Sequence, residues 1–124
     1  MNFEGNTGVY QLYTIARINS IINKNKIGDN YDYSTLNTKE LEILNKILTA
    51  PIILNDTIDK LKPHMIVNYC YELSNLFNTW YNTTNVSKEE DPIRKSTLLL
   101  LLTKFRDNQV YLLDKLGIKT LTEL

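Results

Sequence analysis

Glycine and proline are scarce in this chain, and most of them stand where the apolar pattern changes. Four glycines and three prolines occur in 124 residues. Between them, apolar residues recur at intervals of three and four, the spacing that places them on one face of a helix. Two-residue alternation, which is typical of a strand, is not sustained anywhere. The sequence therefore predicts an all-α fold, a single bundle of about five helices over residues 1–124.

The first two predicted helices are marked by their end signals. The first follows Gly8 and runs to about Ile27, where Gly28 can supply the left-handed residue that commonly ends a helix. The second begins at Asn37, because Asn37 and Glu40 have the spacing of an N-cap and its N3 partner. Both segments carry an apolar stripe, as an amphipathic helix requires.

Prolines delimit the remaining helices. A short third helix is predicted over residues 52–61, and a fourth from Pro63 to about Asn82. After a polar connection, Pro92 stands at the first position of a long fifth helix that reaches Leu116. No internal repeat and no second domain are visible.

The apolar stripes are interpreted as core. The run 98–102 consists of five leucines, so that helix is apolar all round for more than a turn and is predicted to lie at the centre of the bundle. Cys70 lies in the middle of the fourth stripe and is predicted to be a small buried apolar residue. His64 stands at a helix start, where a surface or capping role is expected. One Cys and one His exclude a zinc knot. No acid/base pair, phosphate-binding loop or metal-ligand spacing is visible, so no metal site and no catalytic residue are predicted.

The charges of the chain balance, since Lys and Arg number 14 and so do Asp and Glu. Neither end forms a basic or acidic tail. This argues against a protein held on DNA or on a membrane mainly by charge. No segment has the pattern of a signal peptide or a membrane span. A lone cysteine fits a reducing compartment, and a cytoplasmic location is expected.

The first helix has a second face that core packing does not explain. Tyr10, Tyr13, Arg17 and Lys24 group within about a quarter turn, opposite the apolar arc. Two aromatic rings beside an arginine suit an unpaired base, because the rings offer stacking faces and the guanidinium can bond a base edge or a phosphate. Packing of the tyrosines against a neighbouring helix is the alternative interpretation.

The same segment carries a resemblance to a known family. Residues 3–13 read FEGNTGVYQLY, and Ala16-Arg17-Ile18 and Ser20-Ile21 follow. This segment resembles the start of the C-terminal, DALR-type anticodon-binding domain of arginyl-tRNA synthetases. In that family the pattern reads GNTGPYLQYAHARIRSI. Four later blocks continue the similarity at family-like spacings: Lys62-Pro63-His64, Asn68-Tyr69 with Glu72-Leu73, Leu76-Phe77-Asn78 with Tyr81, and the segment 112–118 that reads LLDKLGI. The resemblance therefore covers nearly the whole chain.

The resemblance implies an all-helical domain that binds the anticodon stem-loop of arginine tRNA. Carried over residue by residue, the positions expected to contact the anticodon are Tyr13, Arg17, Tyr81 and Leu124, supported by Tyr10 and Lys24. No cofactor is expected on this chain. ATP would bind the catalytic domain of the parent enzyme, whose HIGH and KMSKS signatures are absent here. Leu124 stands where the family chain usually ends in methionine, so a native C-terminus is expected, while the part of the family chain before Met1 was either lost or never present.

Three further departures concern the first helix. Val9 replaces a proline, Gln11-Leu12 inverts the order of the family pattern, and Ile15 stands where the family often has histidine. None of them removes an aromatic ring or the arginine, but they leave the anticodon specificity open.

Two other functions remain open on the sequence. One is a stand-alone helical domain, derived from a synthetase, with a structural or protein-interaction role. The other is a small hydrolase built on Cys70 and His64, which requires both side chains within hydrogen-bond reach. The anticodon-binding hypothesis requires instead that Tyr13, Arg17 and Tyr81 share one concave, exposed surface.

Overall fold

The fold of the described residues is a four-helix arrangement. The computed structural model describes residues 3–50 and 63–115, with side chains over 11–50 and 64–114. The α-helices are α1 (Phe3–Lys24), α2 (Thr38–Leu48), α3 (Pro63–Tyr81) and α4 (Pro92–Lys115), and two 3-10 helices span Tyr33–Thr35 and Val86–Lys88. No strand occurs within these two ranges. The predicted all-α class is confirmed, with four helices rather than five, because the predicted helix over 52–61 falls outside the described residues.

Two helices begin where the sequence predicts. At the start of α2, Asn37 Oδ1 accepts a hydrogen bond from the Glu40 amide at 2.9 Å, and Glu40 Oε1 accepts one from the Asn37 amide at 2.9 Å. This reciprocal pair is a capping box. At the start of α4, Asp91 Oδ1 accepts from the Ile93 amide at 2.9 Å. Both predicted starts are therefore confirmed.

The predicted ends of the first helix are wrong. The helix begins at Phe3, before Gly8, and it stops at Lys24, before Gly28. The Asn25 side-chain amide donates to the Ile21 carbonyl at 2.9 Å and so satisfies one of the carbonyls left open at the helix end. Gly28 serves packing instead. Its amide donates to Ser96 Oγ at 3.0 Å, and an added Cβ would lie 2.7 Å from that oxygen.

The core is centred on α4, which packs against α1, α2 and α3. Leu98, Leu99, Leu101 and Leu102 are fully buried, as predicted for the leucine run. Leu100 is an exception and is only partly buried, because one position in such a run must face away from the bundle. Cys70 is fully buried on α3, as predicted. Among the helices described, none combines the length and apolar character needed to cross a membrane.

Candidate functional site

Tyr13 and Arg17 lie one helical turn apart on the outer face of α1. The Tyr13 side chain is 61% exposed, and Arg17 is partly buried. The guanidinium carbon of Arg17 lies 5.6 Å from the centroid of the Tyr13 ring, within cation–π range. The helix therefore presents an exposed aromatic face beside a cation, as the spacing predicts.

Tyr81, the last residue of α3, brings a second ring to the same arginine. The Arg17 guanidinium carbon lies 4.5 Å from the centroid of the Tyr81 ring. The Tyr81 ring stacks on Phe77 at 5.7 Å with an interplanar angle of 10°, and Phe77 stacks on Phe105 of α4 at 4.2 Å. This row of rings runs from the core to the surface and fixes the plane of Tyr81. Arg17 is thus held between two tyrosine rings that are distant in sequence.

Two of these residues, Arg17 and Tyr81, line an open cleft of about 450 Å³. The turn after α3 lines it as well, with Asn82, Thr83, Thr84 and Asn85. The sequence pattern placed Asn82 at the end of the fourth predicted helix and the other three residues in a polar connection, with no functional role for any of them. Their signal was present, since four consecutive amide and hydroxyl side chains directly follow the aromatic end of a helix.

Several hydrogen bonds tie the backbone of this turn to α3, while two of its polar side chains keep their donors and acceptors free of bonds to other described residues. The Asn82 and Thr84 amides donate to the Asn78 and Tyr81 carbonyls at 3.0 and 3.2 Å, and the Thr83 hydroxyl donates to the Trp80 carbonyl at 2.8 Å. Among the described residues, the side chains of Asn82 and Thr84 form no hydrogen bond with another group. None of the described residues that line the cleft carries a carboxylate. The described lining therefore offers donors and acceptors to a ligand.

A buried polar cluster joins α1 to α3 and α4. Gln11, Ser74 and Gln109 are all fully buried. Gln11 Oε1 accepts from the Ser74 hydroxyl at 2.6 Å and from Gln109 Nε2 at 2.9 Å. Gln11 Nε2 donates to the Cys70 carbonyl at 3.1 Å. The inverted order of Gln11 and Leu12 therefore points an amide into the core, where partners on two other helices satisfy it.

A second buried cluster holds the end of α3 that carries Tyr81. The Glu40 carboxylate, fully buried, accepts from Trp80 Nε1 at 2.9 Å and from both terminal nitrogens of Arg94 at 2.8 and 2.9 Å. Burial alone raises the pKa of Glu40. The hydrogen bonds from Arg94, the Asn37 amide and Trp80 outweigh it, so the pKa lies below its ordinary value. Trp80 precedes Tyr81, so this cluster anchors one edge of the cleft.

Of the other predicted site residues, the structure describes the side chain of Lys24 but not those of Tyr10 and Leu124. Lys24 is exposed on the last turn of α1, two turns beyond Arg17. Tyr10 belongs to α1, but its side chain lies outside the described residues, and so does Leu124. The structure thus brings together Tyr13, Arg17 and Tyr81, and the roles of all six residues stay predictions.

Cys70 and His64 do not form the pair that a hydrolase would need. His64 is exposed, whereas Cys70 is fully buried. The two residues are six positions apart on α3, a rise of roughly 9 Å along the axis. Burial raises the pKa of the Cys70 thiol to about 12, so it stays protonated at neutral pH. Within residues 3–50 and 63–115, no group of three metal-ligating side chains occurs either.

The fold and the cleft define a small helical binding domain whose site presents an arginine between aromatic rings. A model of the DALR anticodon-binding domain family matches residues 11–124, and the chain belongs to that family.

Individual relatives agree with this assignment. The chain is similar to an arginine–tRNA ligase of Thermococcus kodakarensis, at 35% identity over 96% of the chain and 20% of the relative. It is also similar to an arginine–tRNA ligase of Agathobacter rectalis, at 39% identity over 83% of the chain and 19% of the relative. The chain thus spans about a fifth of the length of the curated relatives it matches.

Proposed function

We propose that this domain binds the anticodon stem-loop of arginine tRNA, as the tRNA-binding module of an arginyl-tRNA synthetase. The observation that carries the proposal is the placement of the Arg17 guanidinium between the Tyr13 and Tyr81 rings at the edge of an open polar cleft. This arrangement occurs in a member of an anticodon-binding family whose relatives include proteins named arginine–tRNA ligase. Both findings support the proposal that the ligand is RNA.

The chemistry of the cleft, together with the Tyr13 ring beside Arg17, suits a nucleotide that has left the base stack. The exposed Tyr13 ring offers a face on which a base can stack. The Arg17 guanidinium, which forms no ion pair with a described residue, can donate to a base edge or a phosphate. Asn82 and Thr84 add one amide and one hydroxyl that can both donate and accept. Together these groups provide stacking, an edge contact and a polar wall.

A net charge of zero is compatible with this mode of binding. Loop recognition depends mainly on stacked bases, each worth roughly 1–3 kcal/mol, and needs few phosphate contacts. The isolated domain is therefore expected to bind weakly and with a shallow dependence on salt.

The proposal extends to the complete enzyme. In it, a separate catalytic domain would attach arginine to the bound tRNA with ATP, in the cytoplasm, and the present domain would hold the anticodon. The arginine–tRNA ligases to which the chain is similar support this division, since the chain matches only about a fifth of their length.

The test is binding of a synthetic arginine-tRNA anticodon stem-loop to the chain and its variants, measured by fluorescence anisotropy. We expect Arg17→Ala and Tyr81→Ala each to weaken binding by roughly 5- to 150-fold, which corresponds to the loss of a stacking or guanidinium contact of ~1–3 kcal/mol. Lys39→Ala should bind as the wild type does, because Lys39 lies on the exposed start of α2 and pairs with Glu42 at 3.8 Å.

Conservative variants separate the contact from the fold. Tyr81→Phe keeps the ring that stacks on Phe77 and should retain most of the affinity. Arg17→Lys keeps the charge but loses the planar fork, so we expect an intermediate loss. Circular dichroism and thermal melting confirm that each variant is folded. Equal affinity of Arg17→Ala, Tyr81→Ala and Lys39→Ala would show that this surface does not bind the anticodon.

A further inference from the structure

A group of lysines lies where the end of α1 meets the 3-10 helix Val86–Lys88. Asn25 Nδ2 donates to Ser87 Oγ at 3.0 Å and joins the two segments. Lys95 Nζ, from the first turn of α4, donates to the Ser87 carbonyl at 3.1 Å. Lys24 precedes Asn25 in the chain, and Lys88 follows Ser87. Both lysines are exposed. We call Lys24, Lys88 and Lys95 the lysine cluster.

The lysines of this cluster differ from those of α2 in that no described carboxylate pairs with them. Among the described residues, no carboxylate forms an ion pair with any of the three, whereas Lys39 and Lys46 on α2 pair with Glu42 and Glu72. Such unpaired cations are notable in a chain whose charges balance.

Three acidic residues stand between Lys88 and Lys95 in the chain, and two of them are engaged in other contacts. Glu89 pairs with Arg94 at 2.9 Å. Asp91 accepts from the backbone amides at the start of α4. Glu90 alone is exposed without such a contact among the described residues. The engaged carboxylates keep their charges but do not bind the lysines, so Lys24 and Lys88 are exposed with no described carboxylate paired to their ammonium groups.

The lysine cluster lies next to the cleft along two segments of the chain, the turn after α3 and the end of α1. Asn85 lines the cleft and stands two residues before Ser87 in the chain. On α1, Lys24 lies two helical turns beyond Arg17, on the same face and roughly 10 Å along the axis. That distance spans about three phosphates of one strand of a stacked helix.

We infer that the lysine cluster binds phosphates of the RNA strand that leads away from the nucleotide in the cleft. This inference rests on the proposed function and adds a second, sequence-independent site to it. Ammonium groups suit the role because they are compact point charges that bind phosphate without requiring one fixed orientation. In this arrangement the cleft selects the base, and the cluster holds the strand.

The salt dependence of binding distinguishes the two sites. The probe is the arginine-tRNA anticodon stem-loop, titrated against the full chain at several salt concentrations between about 50 and 200 mM. The double variant Lys24→Gln/Lys88→Gln should lower the slope of log affinity against log salt by about 1.4–1.8, because each phosphate contact contributes roughly 0.7–0.9. The single variant Lys88→Gln should lower the slope by about half as much, and its preference for the arginine anticodon over a mismatched one should stay that of the wild type, because a phosphate contact carries no sequence information.

The matched control is Lys39→Gln/Lys46→Gln, which changes the net charge equally on α2, a helix that packs against α3 and α4. We expect its slope to equal that of the wild type. Equal slopes for the two double variants would overturn the lysine cluster while leaving the cleft untouched, provided that Arg17→Ala still weakens binding. If the wild-type chain does not bind the stem-loop at all, the proposed function and this inference both fail.

Discussion

At the scale of single residues, burial determines what the lone thiol can do. Cys70 is fully buried in the core of α3, and burial raises the pKa of its thiol to about 12 from an ordinary value of 9.0. Only the thiolate reacts as a nucleophile, so a thiol that is both buried and protonated is inert. The only cysteine of the chain is therefore a packing residue in the folded domain.

We predict that Cys70 resists alkylation at pH 7 until the domain unfolds. In native buffer, the rate of labelling by iodoacetamide should follow the population of unfolded protein, and urea should abolish the protection. The variant Ser20→Cys in a Cys70→Ala background supplies an exposed thiol on α1 as the positive control. If native Cys70 labels as fast as Cys at position 20, the buried placement is wrong.

At the scale of elements, the buried amides of Gln11 and Gln109 fix how α1 sits on α3 and α4. Apolar stripes alone permit small sliding and rotation between helices, because the hydrophobic effect is not directional. A buried amide whose partners lie on two other helices has few positions in which it is satisfied. The register of α1, and with it the position of Arg17 over Tyr81, follows from this cluster.

We predict that the two glutamines are energetically coupled. Gln11→Leu and Gln109→Leu should each lower the free energy of unfolding by about 1–3 kcal/mol, because each leaves buried polar groups with fewer partners. The double variant should lose less free energy of unfolding than the two single variants lose together. The reason is that the second substitution removes polar groups whose partners the first had already removed. Urea unfolding of the four proteins measures the coupling, and additive losses would show that the 2.9 Å contact between the amides contributes nothing.

At the scale of the whole molecule, Glu40 joins three helices. Its carboxylate belongs to the capping box of α2 and also accepts from Trp80 of α3 and Arg94 of α4. Its pKa lies below the ordinary value of 4.5, so the folded state holds the charged form more strongly than the unfolded state does. This contribution to stability is present at neutral pH and is lost as the pH falls below about 4.5, through the folded-state pKa.

We predict that Glu40→Gln lowers the free energy of unfolding by about 3 kcal/mol at pH 7, because it leaves Arg94 without its buried partner. The difference from the wild type should shrink as the pH is lowered below 4.5, where Glu40 itself becomes protonated. Urea unfolding between pH 7 and pH 3 provides the measurement. Glu42→Gln, two residues away and 54% exposed, is the matched control and should change little at any pH. A Glu40→Gln deficit that does not change with pH would contradict the assigned role of the carboxylate.

The sequence alone determined the helical class, the capped starts of α2 and α4, and the outer face of α1 with Tyr13 and Arg17. These features depend on residues within a few positions of one another, so their spacing is enough to predict them. The resemblance in separate blocks along the chain pointed in addition to Tyr81 and to the family.

Only the tertiary structure decided the rest. The sequence could not show that Arg17 lies over the ring of Tyr81, that the turn 82–85 lines the cleft, or that Asn25 bonds to Ser87. It also could not pair Glu40 with Arg94, or Gln11 with Gln109, since each pair is separated by more than fifty residues. Such contacts depend on how three helices pack together. Buried polar groups select this packing by the directions in which they point, and those directions produce no periodic pattern in the sequence.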